Sequence, residues 1–144
     1  MRLAIICSLF SLAVYAGSCK ATSANLDVRA NRRDEGLATG TWGGQHVRVE
    51  VTDRGAELEF DCARGAIARK VMLDANGRFD VAGTFATEHA GPIRDDESSS
   101  RAVNYQGKVN GNEMELTVTD PKAKETIGSF QLKLGNEGRL MKCR

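Results

Sequence analysis

The sequence predicts an all-β protein: an up-and-down barrel of about eight antiparallel strands. From Ala38 onward apolar side chains recur at every second position, turn-forming residues recur about every ten positions, and no convincing helical stripe interrupts them. Closure into a barrel removes the exposed edges that a flat meander would leave, so the barrel is preferred to a β-sandwich. The 144 residues fit a single domain, and a composition of 41% hydrophobic and 27% charged residues excludes a disordered tail or a multi-span membrane protein.

The first element in chain order is an address. Arg2 precedes an apolar run from Leu3 to Ala16 and then small residues, the pattern of an export signal assigned to residues 1–24. The run of about 14 residues falls short of the ~20 that a transmembrane helix needs. Small residues place the cut after Ala16, Ser18 or Ala24. Val14-Tyr15-Ala16 and Thr22-Ser23-Ala24 suit a soluble periplasmic or secreted product, the preferred reading. Ala16-Gly17-Ser18-Cys19 resembles a bacterial lipobox, which would make Cys19 a lipidation site and the membrane contact an acyl anchor. Residues 25–39 then read as a polar linker and 40–144 as the barrel domain.

A chain beginning at Asn25 loses Arg2 and Lys20 from its 20 basic residues, leaving 18 against 19 acidic ones and a net charge of −1. Nucleic-acid binding needs a concentrated basic face, and the one local cluster, Arg29, Arg32 and Arg33, lies in the polar leader and reads as a solvated linker.

The strands follow in order. Val47, Val49 and Val51 alternate with Arg48 and Glu50, and Leu58, Phe60 and Cys62 alternate with Glu57, Glu59 and Asp61. A turn at Asp53–Ala56 predicts Val51 opposite Leu58, Val49 opposite Phe60 and Arg48 opposite Asp61, which leaves Glu50 against Glu59. Val71 and Leu73 lead into a turn whose Gly77 suits the left-handed region, followed by Phe79, Val81, Gly83 and Phe85. Asn110-Gly111 predicts a type I′ hairpin that pairs Lys108 with Glu113 and Tyr105 with Leu116. A phase shift near Gly128 predicts a β-bulge, and Arg139–Cys143 reads as the last strand, with Leu140 inward.

Of four cysteines, Cys7 lies in the signal and Cys19 at its end, so Cys62 and Cys143 remain to form one disulfide in an oxidising compartment. Closing a loop of roughly 80 residues stabilises by ~4.5 kcal/mol on the chain-entropy account, less any native strain. The two cysteines would flank the first strand at ~9.6 Å, and bridged Cα atoms lie within ~6.8 Å. The bond is therefore expected beyond Val47, near the Trp42 end of the barrel.

Gly40-Thr41-Trp42 resembles the G-x-W that opens lipocalin and other calycin barrels. That resemblance implies a Trp42 plug at one barrel end, covered by Arg139 or Lys142. A longer resemblance runs through GTWGGQHVRVEVTDRGAELEFDC, GRFDVAGTF, EHAGP, NYQGKVNGNEMELTVT and IGSFQLKLGNEGRLMKC. The chain is similar there to an uncharacterised family of small exported bacterial proteins. This implies export and a whole-domain unit, and no catalytic residues.

The longest stretch outside the strands is 88–100, where Glu88, His89, Asp95, Asp96 and Glu97 are the candidate ligand or cation contacts. Their spacing lacks the alternating ligands and central glycine of an EF-hand, and an acidic, serine-rich tip is usually only solvated. His46 begins a strand and reads as a surface group. No G-x-S-x-G elbow, metal spacing or cofactor motif is present, so catalytic residues, metal and cofactor are all expected to be none. The expected function is non-enzymatic: a monomeric envelope protein binding an envelope or extracellular protein, or a small ligand, through its surface or rim loops. One alternative is a barrel carrying an apolar ligand, although a body of about 105 residues favours a filled interior. The other is a metal-dependent hydrolase centred on the 88–100 loop.

Overall fold

A computed structural model describes residues 35–88 and 100–143. The signal, Cys19, Arg29–Arg33, His89, Asp95, Asp96 and Glu97 lie outside the described residues. Eight antiparallel strands follow one another around a closed barrel: β1 Gly40–Gly44, β2 Val47–Thr52, β3 Gly55–Phe60, β4 Ala63–Ile67, β5 Arg78–Thr87, β6 Ser100–Asn110, β7 Glu113–Asp120 and β8 Glu125–Leu134. The β1–β8 seam consists of Trp42↔Leu134, Gly43↔Lys133 and Gly44↔Leu132. The architecture is the up-and-down barrel, and the sandwich is excluded.

Two of the eight strands differ from those expected. β1 and β4, with sequences GTWGG and ARGAI, replace the stretches 71–73 and 139–143. Both carry too few large apolar residues to show a period of two. Val71–Leu73 instead pairs with the chain entering the barrel: Leu37 N–H donates to Val71 O and Leu73 N–H to Glu35 O, both at 2.9 Å. This short ladder lies across the end of the barrel that holds the β2–β3 and β6–β7 turns, and it buries Leu37 and Val71 there. Residues 139–143 belong to a strap described below, and Leu140 is half-buried and outside the core cluster.

Two registers are displaced by two residues. The β2–β3 turn is Asp53-Arg54, which sets Val51 opposite Ala56, Val49 opposite Leu58 and Val47 opposite Phe60. Thr52 tightens it by donating its hydroxyl to Gly55 O at 3.1 Å and accepting Arg54 N–H at 3.3 Å. Arg48 therefore opposes Glu59, and Glu50 meets Glu57. That like-charge pair is relieved by the Thr41 hydroxyl, 2.8 Å from Glu50 Oε2, and by Arg48 at 3.8 Å. At the other hairpin the turn is Gly111-Asn112, with positive φ at Gly111 (61°) alone, as in a type II′ turn. Lys108 thus faces Glu115, and Tyr105 faces Val118. One glycine meets the demand of this turn, whereas a type I′ turn would also force Asn110 into the left-handed region. A slip of two preserves every in-or-out assignment, so the core is unaffected.

Other expectations hold locally. Gly77 has φ of 72°, and Asp74 Oδ1 accepts the N–H groups of Asn76 and Arg78 at 2.8 Å each. The bulge falls in β8, where Val118↔Gly128 is followed by Thr119↔Thr126 and Ile127 is the extra residue.

The interior is occupied by side chains. Trp42, Tyr105, Leu58, Met114, Val47, Val103 and Val118 are almost completely buried. Room for the Tyr105 ring comes from glycine: a Cβ on Gly65 would overlap its hydroxyl, and one on Gly83 would approach its ring edge to 2.7 Å. At the end opposite the Leu37–Val71 cap, the Phe60 ring lies 5.4 Å from Phe85 and 5.3 Å from Phe130. Arg101 stacks 5.5 Å over Phe85 and pairs with buried Asp120 at 3.2 Å, placing a fixed polar pair beside the aromatic side chains at that end.

Candidate functional site

A cluster of polar groups outside the core meets at the Phe60 end. Three elements deliver them: the Gln45-His46 turn between β1 and β2, the Asp61-Cys62 turn between β3 and β4, and the end of β5 at Glu88. A C-terminal strap, residues 136–143, runs from Gly135 back along the outer face of β1 and joins them.

His46 sits in the left-handed region, with φ of 66°, rare for a residue with a Cβ. Two bonds hold it there. Its Nδ1 lies 2.6 Å from Asp61 Oδ2, and its backbone N–H donates to Arg139 O at 2.9 Å. Asp61 Oδ1 accepts the Met141 N–H at 2.7 Å, and its carbonyl accepts the Cys143 N–H at 3.2 Å. Lys142 Nζ donates to Phe60 O at 3.1 Å and lies 3.5 Å from Glu88 Oε2 and 3.8 Å from Glu59 Oε1. Glu88 N–H donates to Cys62 O at 2.8 Å. The Cys62–Cys143 disulfide closes the cluster, with Cα atoms 5.2 Å apart.

Of the predicted site residues, the fold thus brings together Cys62, Cys143 and Glu88. Trp42 is elsewhere: it is fully buried in β1, and its Nε1–H donates to Ala38 O at 3.0 Å, toward the capped end. The disulfide does lie past Val47, but at the end away from which the indole points. Lys142 Nζ reaches Phe60 O and Glu88 instead of Trp42, and Arg139 joins the strap to the β1–β2 turn through its backbone N–H and C=O. Asp61 and Lys142 were missed as site residues although each directly precedes a bridged cysteine. In sequence, the expected disulfide is the signal that would have brought this oppositely charged pair into one neighbourhood.

The Asp61–His46 pair fixes an imidazole by a carboxylate, an arrangement that can orient a general base. Here its remaining bonds go to strap backbone groups, so the pair acts as a staple. Among the described residues no three His, Cys, Asp or Glu side chains converge as a metal site would. A groove of about 610 Å³ runs beside the strap, with Gly44, Gln131, Lys133, Asn136 and Arg139 in its walls.

The Met141 N–H, with the His46 bond and the nearby Lys142 charge adding to it, holds the Asp61 carboxyl below the usual carboxylate range. A depressed pKa contributes stability that is fully present above the unfolded value, ~3.9, and is lost as pH falls through the folded value. Asp61→Asn is therefore expected to lower the urea midpoint at pH 7 and to flatten its decline below about pH 4. Urea titrations at pH 7 and pH 3 test this, and an unchanged pH dependence would contradict it.

Compared with known proteins, the chain matches no family model, no curated protein and no solved structure.

Proposed function

We propose that this chain is an exported, non-enzymatic bacterial envelope protein that binds a partner through the rim carrying the strap. The observation that carries this reading is the filled interior. An apolar carrier would need the volume that Trp42, Tyr105, Leu58 and Met114 occupy, so contact with another molecule falls to the outer surface. There, Glu59, Glu88, Lys142, His46 and Asp61 form a set of partly exposed polar groups around a covalently fixed frame. Glu88 lies on the same rim, and binding residues concentrate where loops meet a rigid scaffold. The disulfide is consistent with export to an oxidising compartment.

The test is photo-crosslinking in the cells that make the protein, with a photoreactive residue at Glu88 and, separately, at Arg54 in the opposite end's β2–β3 turn. Light should yield adducts of discrete mass from position 88 and none from position 54. Equal yields from both, no adduct from position 88, or a bound apolar guest in native mass spectrometry would defeat the proposal.

A further inference from the structure

The strap is joined to the barrel unlike any strand. It crosses the outer face of β1 so closely that a Cβ on Gly43 would overlap the Gly138 amide and the Asn136 carbonyl. Beyond that crossing it is held by polar contacts: Arg139 N–H to Gly44 O and His46 N–H to Arg139 O at 2.9 Å each, Met141 N–H to Asp61 Oδ1, Cys143 N–H to Asp61 O, Lys142 Nζ to Phe60 O at 3.1 Å, and the partly exposed ion pairs of Lys142 with Glu88 and Glu59 and of Glu137 with Arg48. Little apolar burial supports them. Met141 is 65% exposed, Leu140 is half-buried, and no described strap residue belongs to the hydrophobic core.

The barrel, by contrast, closes without the strap. β1 meets β8 through its own three residue pairs, and the long ladders among β5, β6, β7 and β8 lie elsewhere. These contacts are polar and mostly solvent-exposed, and the covalent bond strengthens them by keeping the far end of the strap at high effective concentration over its seat. That bond is reachable from one side, because Cys143 is exposed and Cys62 half-buried.

We infer that the strap is a redox-released latch: a dithiol of the thiol–disulfide exchange class reduces Cys62–Cys143 from the Cys143 side and frees residues 136–143 while the barrel stays folded. In the first step the dithiol's thiolate attacks Cys143 Sγ and forms a mixed disulfide. The Cys62–Cys143 bond breaks, and its electron pair leaves on Cys62 Sγ, which is then protonated from water. The second thiol, as thiolate, attacks the reductant's own sulfur in the mixed disulfide and expels Cys143 as a thiolate that is likewise protonated. The protein's disulfide gains two electrons, and the dithiol ends as a disulfide. Release removes the Asn136, Gly138 and Arg139 side of the groove and bares the Gly43 face of β1. The latch operates whether or not the rim binds a partner.

The test uses the whole exported protein and amide hydrogen exchange read by mass spectrometry, before and after dithiothreitol. Peptides covering 136–144 should exchange about tenfold faster or more after reduction, as expected for local opening, while those of β6 and β7 keep their protection. The Cys62→Ser/Cys143→Ser variant should behave as the reduced protein does. Brief treatment with glutathione followed by acid quenching should place the adduct on Cys143. The latch is overturned if strap amides stay protected after reduction, if β6 and β7 lose protection to the same extent, or if glutathione is found on Cys62.

Discussion

Replacing Trp42 with alanine is expected to destabilise the protein by about 3–5 kcal/mol, the range for deleting a large buried aromatic side chain. The indole has no exposed surface and packs in a strand where both neighbouring partners, Val49 and Leu134, sit on its own face. β1 is GTWGG, so no other large side chain in that strand can fill the vacated space. The Ala38 carbonyl also loses the N–H that meets it at 3.0 Å. For a domain of this size the melting temperature should fall by roughly 15–20 °C, followed by far-UV circular dichroism. Trp42→Phe keeps most of the volume and loses the hydrogen bond, so it should cost about 1–3 kcal/mol. A loss below about 1 kcal/mol for Trp42→Ala would show that the barrel does not depend on this side chain.

The same strand shows why a period-two pattern reveals some strands and hides others. Val47, Val49 and Val51 announce β2 because three large side chains share one face. In β1 the inward positions are Gly40, Trp42 and Gly44, and in β4 they are Ala63, Gly65 and Ile67, so most of the apolar signal is missing. The small residues there answer to neighbours far away in sequence: Gly65 to Tyr105, and Gly43 to the strap. Registers were legible only to within two residues for a related reason. Sliding β3 by two along β2 exchanges one apolar pair for another, and the choice rests on turn geometry and on the small Ala56 opposite Val51.

The rim was legible in part. Cys62 and Cys143 stood out because they were the only cysteines left in the body, and Glu88 because it opens the longest segment without strand pattern. The Asp61–His46 staple was not, since its two residues are 15 apart in different turns and meet only because β2 and β3 bring those turns side by side. His46 adopts a backbone conformation in which glycine or asparagine is usual, and no sequence pattern marks that choice.

The glycine at the centre of β4 yields the other large effect. Gly65→Ala is expected to destabilise by about 2–3 kcal/mol, although alanine is ordinarily the better strand residue, because overfilling a packed core forces neighbouring side chains to shift. The added methyl would overlap the Tyr105 hydroxyl and would lie 3.1 Å from the ring carbon that bears it. That hydroxyl has little freedom to move, since it donates to Thr84 O at 2.7 Å and belongs to a fully buried ring. Tyr105→Phe removes the clashing atom and leaves Thr84 O without that donor, a loss of about 1–3 kcal/mol by itself. The two losses should not add. In the double variant the methyl occupies space that the hydroxyl vacated, so the combined loss should fall short of the sum by about 1 kcal/mol or more. Denaturant titrations of the four proteins close the cycle. Additivity within about 0.3 kcal/mol would mean that Gly65 is there for some reason other than making room for Tyr105.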